Sequence, residues 1–416
     1  MRILFTVPYT PNRIRVRPYE FVRALLRAGH DVTLAALWTS AEEQEDLRRL
    51  AQCGARILAQ PMPAWRSAAN SLLALPTGTP LQAVYSWQPP LFEAVLAAHA
   101  AQPFDVMHVE HLRGSRYGLE LMRRLAGAAQ RPAVVWDSVD CISHLFAQAA
   151  RSSRSLKGRL MTRLELPRTQ RYEAQLVRSF DHTVVTSAVD KAALVALAEG
   201  GVSKSYAASI DVVPNGVDLE LFSPRAPEDR HANRIVFSGK MSYHANVTAA
   251  LHLVNDIMPA VWAQRPDAEV WLVGKEPPPE LRALDSGAQA QERRVVVTGE
   301  VAAMQEHIQG AAVAAAPLLY GAGIQNKVLE AMACATPVVA SPQASQSLAA
   351  VAGQDFLRAS TPPEFAAAIV ALLQSPTLRQ SVGCAGRRFV ETHHSWDSAV
   401  AQLAAIYAAT IARQAA

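Results

Sequence analysis

Gly321-Ala322-Gly323-Ile324-Gln325-Asn326-Lys327-Val328-Leu329-Glu330-Ala331-Met332-Ala333, followed by Pro337-Val338-Val339-Ala340-Ser341, is the stretch on which the reading of this chain turns. An apolar run from Ala311 to Leu319 precedes it and reads as a buried strand. The order is therefore strand, glycine-containing loop, short helix opening near Gln325, and a second β-branched run. A small-residue loop feeding a helix N-terminus suits an anion, because glycine lets the backbone approach and the first amides point outward unpaired. Lys327 adds a cation in the first turn. Glu330, one turn further on, can accept two hydrogen bonds from a sugar diol. Phosphate at the loop and hydroxyls at the carboxylate together describe a nucleotide-sugar.

The pattern on either side of this stretch is that of a parallel sheet. Ile3–Val7, Val32–Ala36, Val106–Val109, Val134–Trp136 and Thr183–Thr186 read as apolar strands, with helical sequence such as Pro18–Ala28 between them. Ala64–Pro90 lacks clear periodicity and reads as loop plus helix. Nearly continuous apolar strands in a βαβα rhythm indicate doubly wound parallel sheets. Val212-Val213-Pro214-Asn215-Gly216 marks a boundary, since a strand there meets proline and a turn pair. Beyond it the rhythm restarts, with strands Ile235–Ser238, Val270–Val273, Val295–Thr298, Ala312–Ala316 and Val338–Ala340. The helices expected there are Val247–Trp262, Met304–Gln309, Lys327–Cys334 and Pro363–Leu373. Two α/β halves of this kind are expected to leave a ligand cleft at their C-terminal strand ends. Ser395-Trp396 with Val400, Leu403, Ile406 and Tyr407 forms a terminal amphipathic helix. Phe237-Ser238-Gly239-Lys240 ends the first strand of the second half, where a glycine followed by a cation can hold a diphosphate.

The loop, the Leu-Glu-Ala-Met-Ala helix and the Pro-Val-Val strand closely resemble the donor-site signature of family-four glycosyltransferases of GT-B fold. The wording Gly-Ile-Gln-Asn-Lys-Val-Leu-Glu-Ala-Met is similar to a subgroup tied to bacterial surface polysaccharides. The resemblance is specific over about residues 200–410 and looser before them. It implies two Rossmann-like domains, residues 1–215 on the acceptor side and 216–392 on the donor side. Residues 393–416 are implied to form a helix returning to the first domain. Lys240 takes the place of the family's phosphate-binding arginine, and Asn246 that of its second cation. Lys327, where relatives carry an uncharged residue, can supply the missing charge. Ala322 stands where the family has a glutamate that reaches the transferred sugar, which leaves the amides of Gly323 and Ile324 to hold sugar and phosphate. By the same resemblance Glu300 and Val301 lie on the nucleobase, with UDP, GDP and ADP left open. Gly239, Gly321, Gln325 and Asn326 complete the implied donor set.

In the first half, Asp105-Val106-Met107-His108-Val109-Glu110-His111 ends a strand with a carboxylate and an imidazole. Alternation puts Met107, Val109 and His111 on one face, and His108 and Glu110 on the other. Relatives place a histidine near this strand end beside the sugar and acceptor; here either Glu110 or His111 could take that role, or the histidine is structural. Asp137 and Asp140 end the next strand, suiting acceptor contact or helix capping equally. Arg13, Arg15 and Arg17 stand in the first strand–helix loop, where relatives carry paired glycines. Such arginines fit a phosphorylated ligand or lipid head group, or a solvated loop. Arg151, Arg154, Lys157, Arg159, Arg163, Arg168 and Arg171 share their span with Glu165 alone and interleave with Leu156, Leu160 and Leu164. This composition suits an interfacial helix on an anionic membrane, or an ordinary basic face.

Bulk properties bound these expectations. The 416 residues are 50% hydrophobic and 18% charged, enough for two packed domains, and the net charge of +4 is mild. Four cysteines, Cys53, Cys141, Cys334 and Cys384, show no metal spacing and read as buried thiols of a reducing cytosol. The first strand breaks too early for a signal peptide, and no run reaches the about 18 apolar residues of a membrane span. A cytoplasmic protein, in solution or peripheral on the inner membrane face, is expected. Nothing points to nucleic acid, and no Asp-x-Asp motif points to a metal. The expectation is a retaining, metal-independent glycosyltransferase without a cofactor, its donor substrate a nucleotide-sugar and its acceptor a glycan or lipid-linked sugar of the envelope. A nucleotide-sugar epimerase and a catalytically degenerate donor-binding subunit are the alternatives.

Overall fold

The computed structural model describes residues 1–128, 130–152, 156–200, 205–285, 294–321 and 324–415, and the side chains of 149–163 and 415 are not described. The chain divides into two compact units, Met1–Pro214 with Trp396–Ala416, and Asn215–Ser395.

The first unit carries β1 (Arg2–Val7), β2 (Asp31–Trp38), β3 (Arg56–Pro61), β4 (Val106–Glu110), β5 (Ala133–Val139), β6 (His182–Val185) and β7 (Ile210–Val212). Their spatial order is β3-β2-β1-β4-β5-β6-β7, all parallel. Alternate residues feed two cores. Leu4, Met107, Val109 and Trp136 face one side, and Ile3, Phe5, Val106 and Val135 the other. The second core is closed by the helix Val16–Arg27 and the terminal helix Trp396–Ala415, through Phe21, Leu25, Trp396, Leu403 and Tyr407. Strand β3 was not anticipated, because its residues are only half-buried at the sheet edge and lack a clear apolar run. The Ala64–Pro90 region contains the helices Ala64–Ala74 and Leu81–Val84.

The second unit carries β8 (His231–Ser238), β9 (Glu269–Val273), β10 (Val295–Gly299), β11 (Ala311–Ala316), β12 (Val338–Ala340) and β13 (Leu357–Arg358). Their order is β10-β9-β8-β11-β12-β13, again parallel. All six residues of β11 are buried. The helix expected over Val247–Trp262 is interrupted: a wide turn at Leu253–Ile257 separates His244–His252 from Met258–Trp262. Pro259 lies just after it and cannot donate to the preceding turn, a common cause of such a rearrangement. The helix Asn326–Ala333 starts directly after Gln325, one residue before the expected range Lys327–Cys334. The helix Pro376–His393 was unforeseen; Ser375 caps it, accepting from the Leu378 amide.

Candidate functional site

In the second unit the strand order reverses direction between β8 and β11, and in such sheets the crevice outside the strand ends at that point takes the ligand. The loops leaving these two strands carry Gly239-Lys240 and Gly321–Lys327. The register pairs Ser238 with Val273, so Gly239 and Gly274 leave the sheet side by side. Both adopt positive φ, 142° and 152°. A Cβ on Gly274 would stand 1.8 Å from the Gly239 carbonyl oxygen. One on Gly239 would stand 2.9 Å from Asn246 Nδ2 and 3.4 Å from Lys327 Cε. Glycine at both places lets the two loops close on each other.

Across that gap Lys327 Nζ donates to Asn246 Oδ1 at 2.9 Å, and Asn246 Nδ2 donates to the Lys240 carbonyl at 2.9 Å. The cation absent from position 246 is thus held against the residue that replaces it, from the opposite loop. Its ammonium lies 5.5 Å from the centre of the Phe237 ring. Burial pushes Lys327 down to about 8, with Glu330 opposing, and pushes Glu330 up to about 7, with Lys327 opposing. Glu330 stands one turn along the helix from Lys327 and is half-buried. Lys240 is ion-paired with Glu276 at 2.9 Å, and Ser242 Oγ donates to the same carboxylate oxygen at 2.8 Å. Glu276 itself takes φ 57°, unusual for a residue other than glycine.

Tyr320 and the residues from Ile324 onward are held from behind. Tyr320 is 5% exposed, its hydroxyl lies 2.9 Å from His244 Nδ1, and the two rings stack at 5.4 Å. Ile324 is buried in the core, and Asn326 Oδ1 accepts from Asn215 Nδ2 at 3.0 Å. Asn215 O in turn lies 2.8 Å from His394 Nδ1. Gly321 is buried and Gln325 is the residue from which the helix starts. Ala322 and Gly323 lie outside the described residues. Glu300 is exposed and Val301 half-buried against the core, both just after β10. Strand β9 separates them from β8.

In the first unit the reversal falls between β1 and β4. Tyr9, after β1, donates from its hydroxyl to Glu110 Oε1 at 2.8 Å, at the end of β4. Glu110 is 2% exposed; burial, and then the Asp137 charge, push its carboxyl up to about 8, so it is largely neutral at pH 7. His111 does not continue the strand face. It opens the helix His111–Arg124 with φ 61°, and its Nδ1 accepts from the Arg113 amide at 3.3 Å. Burial and then Arg113 depress it to about 3, leaving it neutral. Val139, ending β5, also adopts positive φ, 64°, a strained state for a β-branched residue. Two neighbouring strands therefore end in strained backbone at the same edge.

Of the three arginines read as facing a phosphorylated ligand or as a solvated loop, Arg17 and Arg15 are engaged within the protein. Arg17 is buried, with Nε donating to Asp137 Oδ2 at 2.7 Å and Nη1 to the Val213 carbonyl at 3.0 Å. Arg15 pairs with Glu43 at 2.9 Å and lies over the Tyr9 ring. Arg13 is exposed. Asp137 is fully buried, where it also accepts from the Val139 amide at 2.9 Å. Asp140 accepts from the Thr186 hydroxyl at 3.3 Å, and burial and Asp190 raise its carboxyl. His108 stacks on Phe5 at 4.0 Å and bonds the Tyr407 hydroxyl at 2.7 Å, which ties the terminal helix to β4. Of the four cysteines expected to be buried, Cys141 and Cys334 are, whereas Cys53, at the end of a surface helix, and Cys384 are exposed. Among the described residues no cluster of three or more His, Cys, Asp or Glu is placed to hold a metal ion.

Sequence reasoning missed Asn215, His244, Glu276, Tyr320 and His394. Asn215-Gly216 carried only a turn signal, and the other four lie in loops or at helix ends without periodicity. The charge states of the Lys327–Glu330 pair lead to a pH expectation. An anionic diphosphate needs Lys327 protonated, below about 8, and hydroxyl acceptance suits Glu330 ionised, above about 7. Donor affinity should then peak between these values and fall on both sides. Binding below pH 7 should release protons from Glu330, measured by titration calorimetry in buffers of different ionisation enthalpy. A flat profile from pH 5.5 to 9 would contradict it.

Residues 232–375 match the family described as Glycosyl transferases group 1. The MMP alpha-(1->4)-mannosyltransferase of Mycolicibacterium hassiacum is 36% identical over 219 residues, covering 50% of each chain. The phosphatidyl-myo-inositol mannosyltransferase of Mycobacterium tuberculosis is 28% identical over 204 residues, 47% of this chain and 53% of its own. The chain thus aligns with about half the length of these curated relatives. Among solved structures, sucrose-phosphate synthase from Thermosynechococcus elongatus superposes with a TM-score of 0.72 at 18% identity, covering 99% of both chains. Anabaena HepE in complex with UDP does so at 0.68 and 14%, covering 98% and 100%.

Proposed function

We propose that the chain, whose residues 232–375 match the glycosyl transferases group 1 and whose fold is GT-B, transfers a hexose from a nucleotide-sugar. The observation that carries this is the Lys327–Asn246–Lys240 chain of contacts at the strand-order reversal, with Glu330 one turn beyond. There the leaving diphosphate's charge would be met by Lys327, Lys240 and the first amides of the helix Asn326–Ala333. Lys240 must exchange Glu276 for the phosphate on binding. Glu330 would hold sugar hydroxyls. Transfer is taken to retain anomeric configuration and to need no metal, the departing phosphate oxygen drawing the proton from the acceptor hydroxyl. Glu110 and His111, both largely neutral, would contact the acceptor or the sugar by hydrogen bonding. Arg13 remains a candidate for acceptor contact. Asp137 acts by holding Arg17.

A GDP-mannose-dependent mannosyltransferase of Corynebacterium glutamicum, 28% identical over 205 residues, favours GDP-mannose as the first donor to test, and the HepE structure with UDP-glucose suggests that donor next, with a lipid-linked or glycan acceptor in envelope synthesis. Work at the cytoplasmic face of an anionic membrane belongs to the same reading. A second reading, a donor-binding assembly subunit without turnover, draws on Ala322 in place of the family glutamate. Calorimetric titration with GDP-, UDP-, ADP- and TDP-sugars, with Glu330→Ala and Lys240→Ala as controls, tests both. Saturable binding of one donor class, lost in both variants, is expected. No binding by folded protein would overturn the transferase reading; binding without turnover over a broad acceptor panel would favour the second.

A further inference from the structure

The helix Ala64–Ala74 is turned inside out. Its polar residues face the protein: Asn70 Nδ2 donates to the Trp87 carbonyl at 2.9 Å and to the Tyr85 carbonyl at 3.3 Å. Ser67 and Ser71, on the adjoining arc, are half-buried. The opposite arc is apolar and faces outward. Trp65 is 64% exposed, Leu72 68% and Leu73 75%, with Ala68 between them and Leu75 just beyond the helix. At about 100° per residue, Trp65, Ala68, Leu72 and Leu73 span one continuous face. A helix selected for water alone presents the reverse arrangement, and a grouped apolar patch of this kind marks an interaction surface.

The neighbouring helix Leu156–Ser179 extends the patch. Arg168 Nη2 donates to the Leu75 carbonyl at 3.0 Å, and Leu164, one turn before Arg168, is 50% exposed. Charge identifies the occupant. The stretch from Pro63 to Pro90, which holds this helix and the segment after it, contains no Asp or Glu and one arginine, Arg66. Between Asp140 and Glu165 the sequence again has no acid, and holds Arg151, Arg154, Lys157, Arg159 and Arg163, whose side chains lie outside the described residues. Glu165 displays no charge outward. It is 7% exposed, accepts from the Leu81 amide at 2.9 Å and is paired with Arg168. The Arg66 guanidinium lies 4.9 Å from the centre of the Trp65 ring, an amphipathic pairing suited to a membrane–water boundary. A second copy of the chain would meet this stretch with the same arginine, Arg66, and no acid of its own.

We propose that the outward face of the helix Ala64–Ala74, with Leu75 and Leu164, inserts into the interface of an anionic lipid bilayer. Apolar side chains enter the acyl boundary while the flanking arginines meet the head groups. No helix among the described residues is long and apolar enough to cross a membrane, so the contact is with one leaflet.

This rests on the membrane part of the reading above and is independent of sugar transfer. The test is sedimentation of the full chain with vesicles of phosphatidylcholine alone or with phosphatidylglycerol added, in the absence of any donor. Binding to the anionic vesicles is expected, weakened by salt, and reduced about tenfold or more by Leu72→Ser/Leu73→Ser. Trp65→Phe should remove most of the tryptophan quenching by brominated lipid. Near-ultraviolet circular dichroism checks that the variants are folded, and donor titration without vesicles separates failure here from failure of the transferase reading. Absence of vesicle binding, equal binding by the double variant, or a dimer in solution dissolved by the same substitutions would overturn the proposal.

Discussion

Lys327→Met is expected to weaken nucleotide-sugar binding on the order of 10²-fold, the loss typical when a partly buried, hydrogen-bonded charge pair loses one member. Methionine keeps most of the stem volume, so packing over Phe237 survives and the loss reports the ammonium. The contact between Lys327 Nζ and Asn246 Oδ1 gives a stronger version of the test. If the charge matters at this point in space rather than at this point in sequence, Asn246→Lys/Lys327→Gln should recover most of the affinity. Asn246→Lys alone should crowd two ammonium groups together and bind the free-state loop poorly, while gaining affinity for the doubly charged diphosphate. Calorimetric titration of the parent and three variants with the best donor decides the matter. An unchanged affinity in Lys327→Met, or a double variant as weak as the single, would show that this lysine serves the loop and not the phosphate.

Arg17→Met is expected to destabilise the first unit by about 3–5 kcal/mol, the usual cost of leaving one member of a buried ion pair without its partner. Arg17 is 5% exposed and Asp137 fully buried, so no water replaces the guanidinium. The same side chain bonds the Val213 carbonyl, and its charge opposes the rise in Glu110 caused by burial. Removing it should therefore raise Glu110 further and keep that carboxyl neutral to a higher pH. Because the folded-state value already lies above the ordinary one, the neutral form is the one compatible with burial. The stability it contributes at low pH is lost as pH rises through about 8 in the parent, and at a higher pH in the variant. Urea unfolding at pH 6, 7.5 and 9 measures both effects. Arg17→Met/Asp137→Leu should recover part of the loss, since the uncompensated carboxylate is gone. A single-variant cost below about 1 kcal/mol would mean the pair is not structural. Arg13→Ala, at an exposed position, should change stability little.

The elements that sequence located well share one property: their signal is local and repeated. The strands around Ile3–Val7 and Ala311–Ala316 are runs of buried apolar residues, and a run survives an error of a residue or two at either end. The start of the helix Asn326–Ala333 was legible for the same reason, since Gln325, Lys327 and the apolar residues after it lie side by side in the sequence. Strand β3 escaped because an edge strand need not be apolar throughout. His111 was placed on a strand face because alternation carries no warning of where a strand stops; the backbone turns to positive φ there and begins a helix.

By itself, then, the order of residues determined a pair of parallel doubly wound sheets and their boundary near Asn215. Periodicity and turn chemistry act between near neighbours, and the sequence displays those directly. Only the tertiary structure decided which charges are engaged. Arg17 meets Asp137 across 120 residues, Lys327 meets Asn246 across 81, and Asn326 meets Asn215 across 111. It also decided which face of the helix Ala64–Ala74 looks outward, since an amphipathic pattern is the same written inside or out. An ion pair depends on a distance in space, and separation along the chain carries almost no information about that distance until the strands are stacked in order.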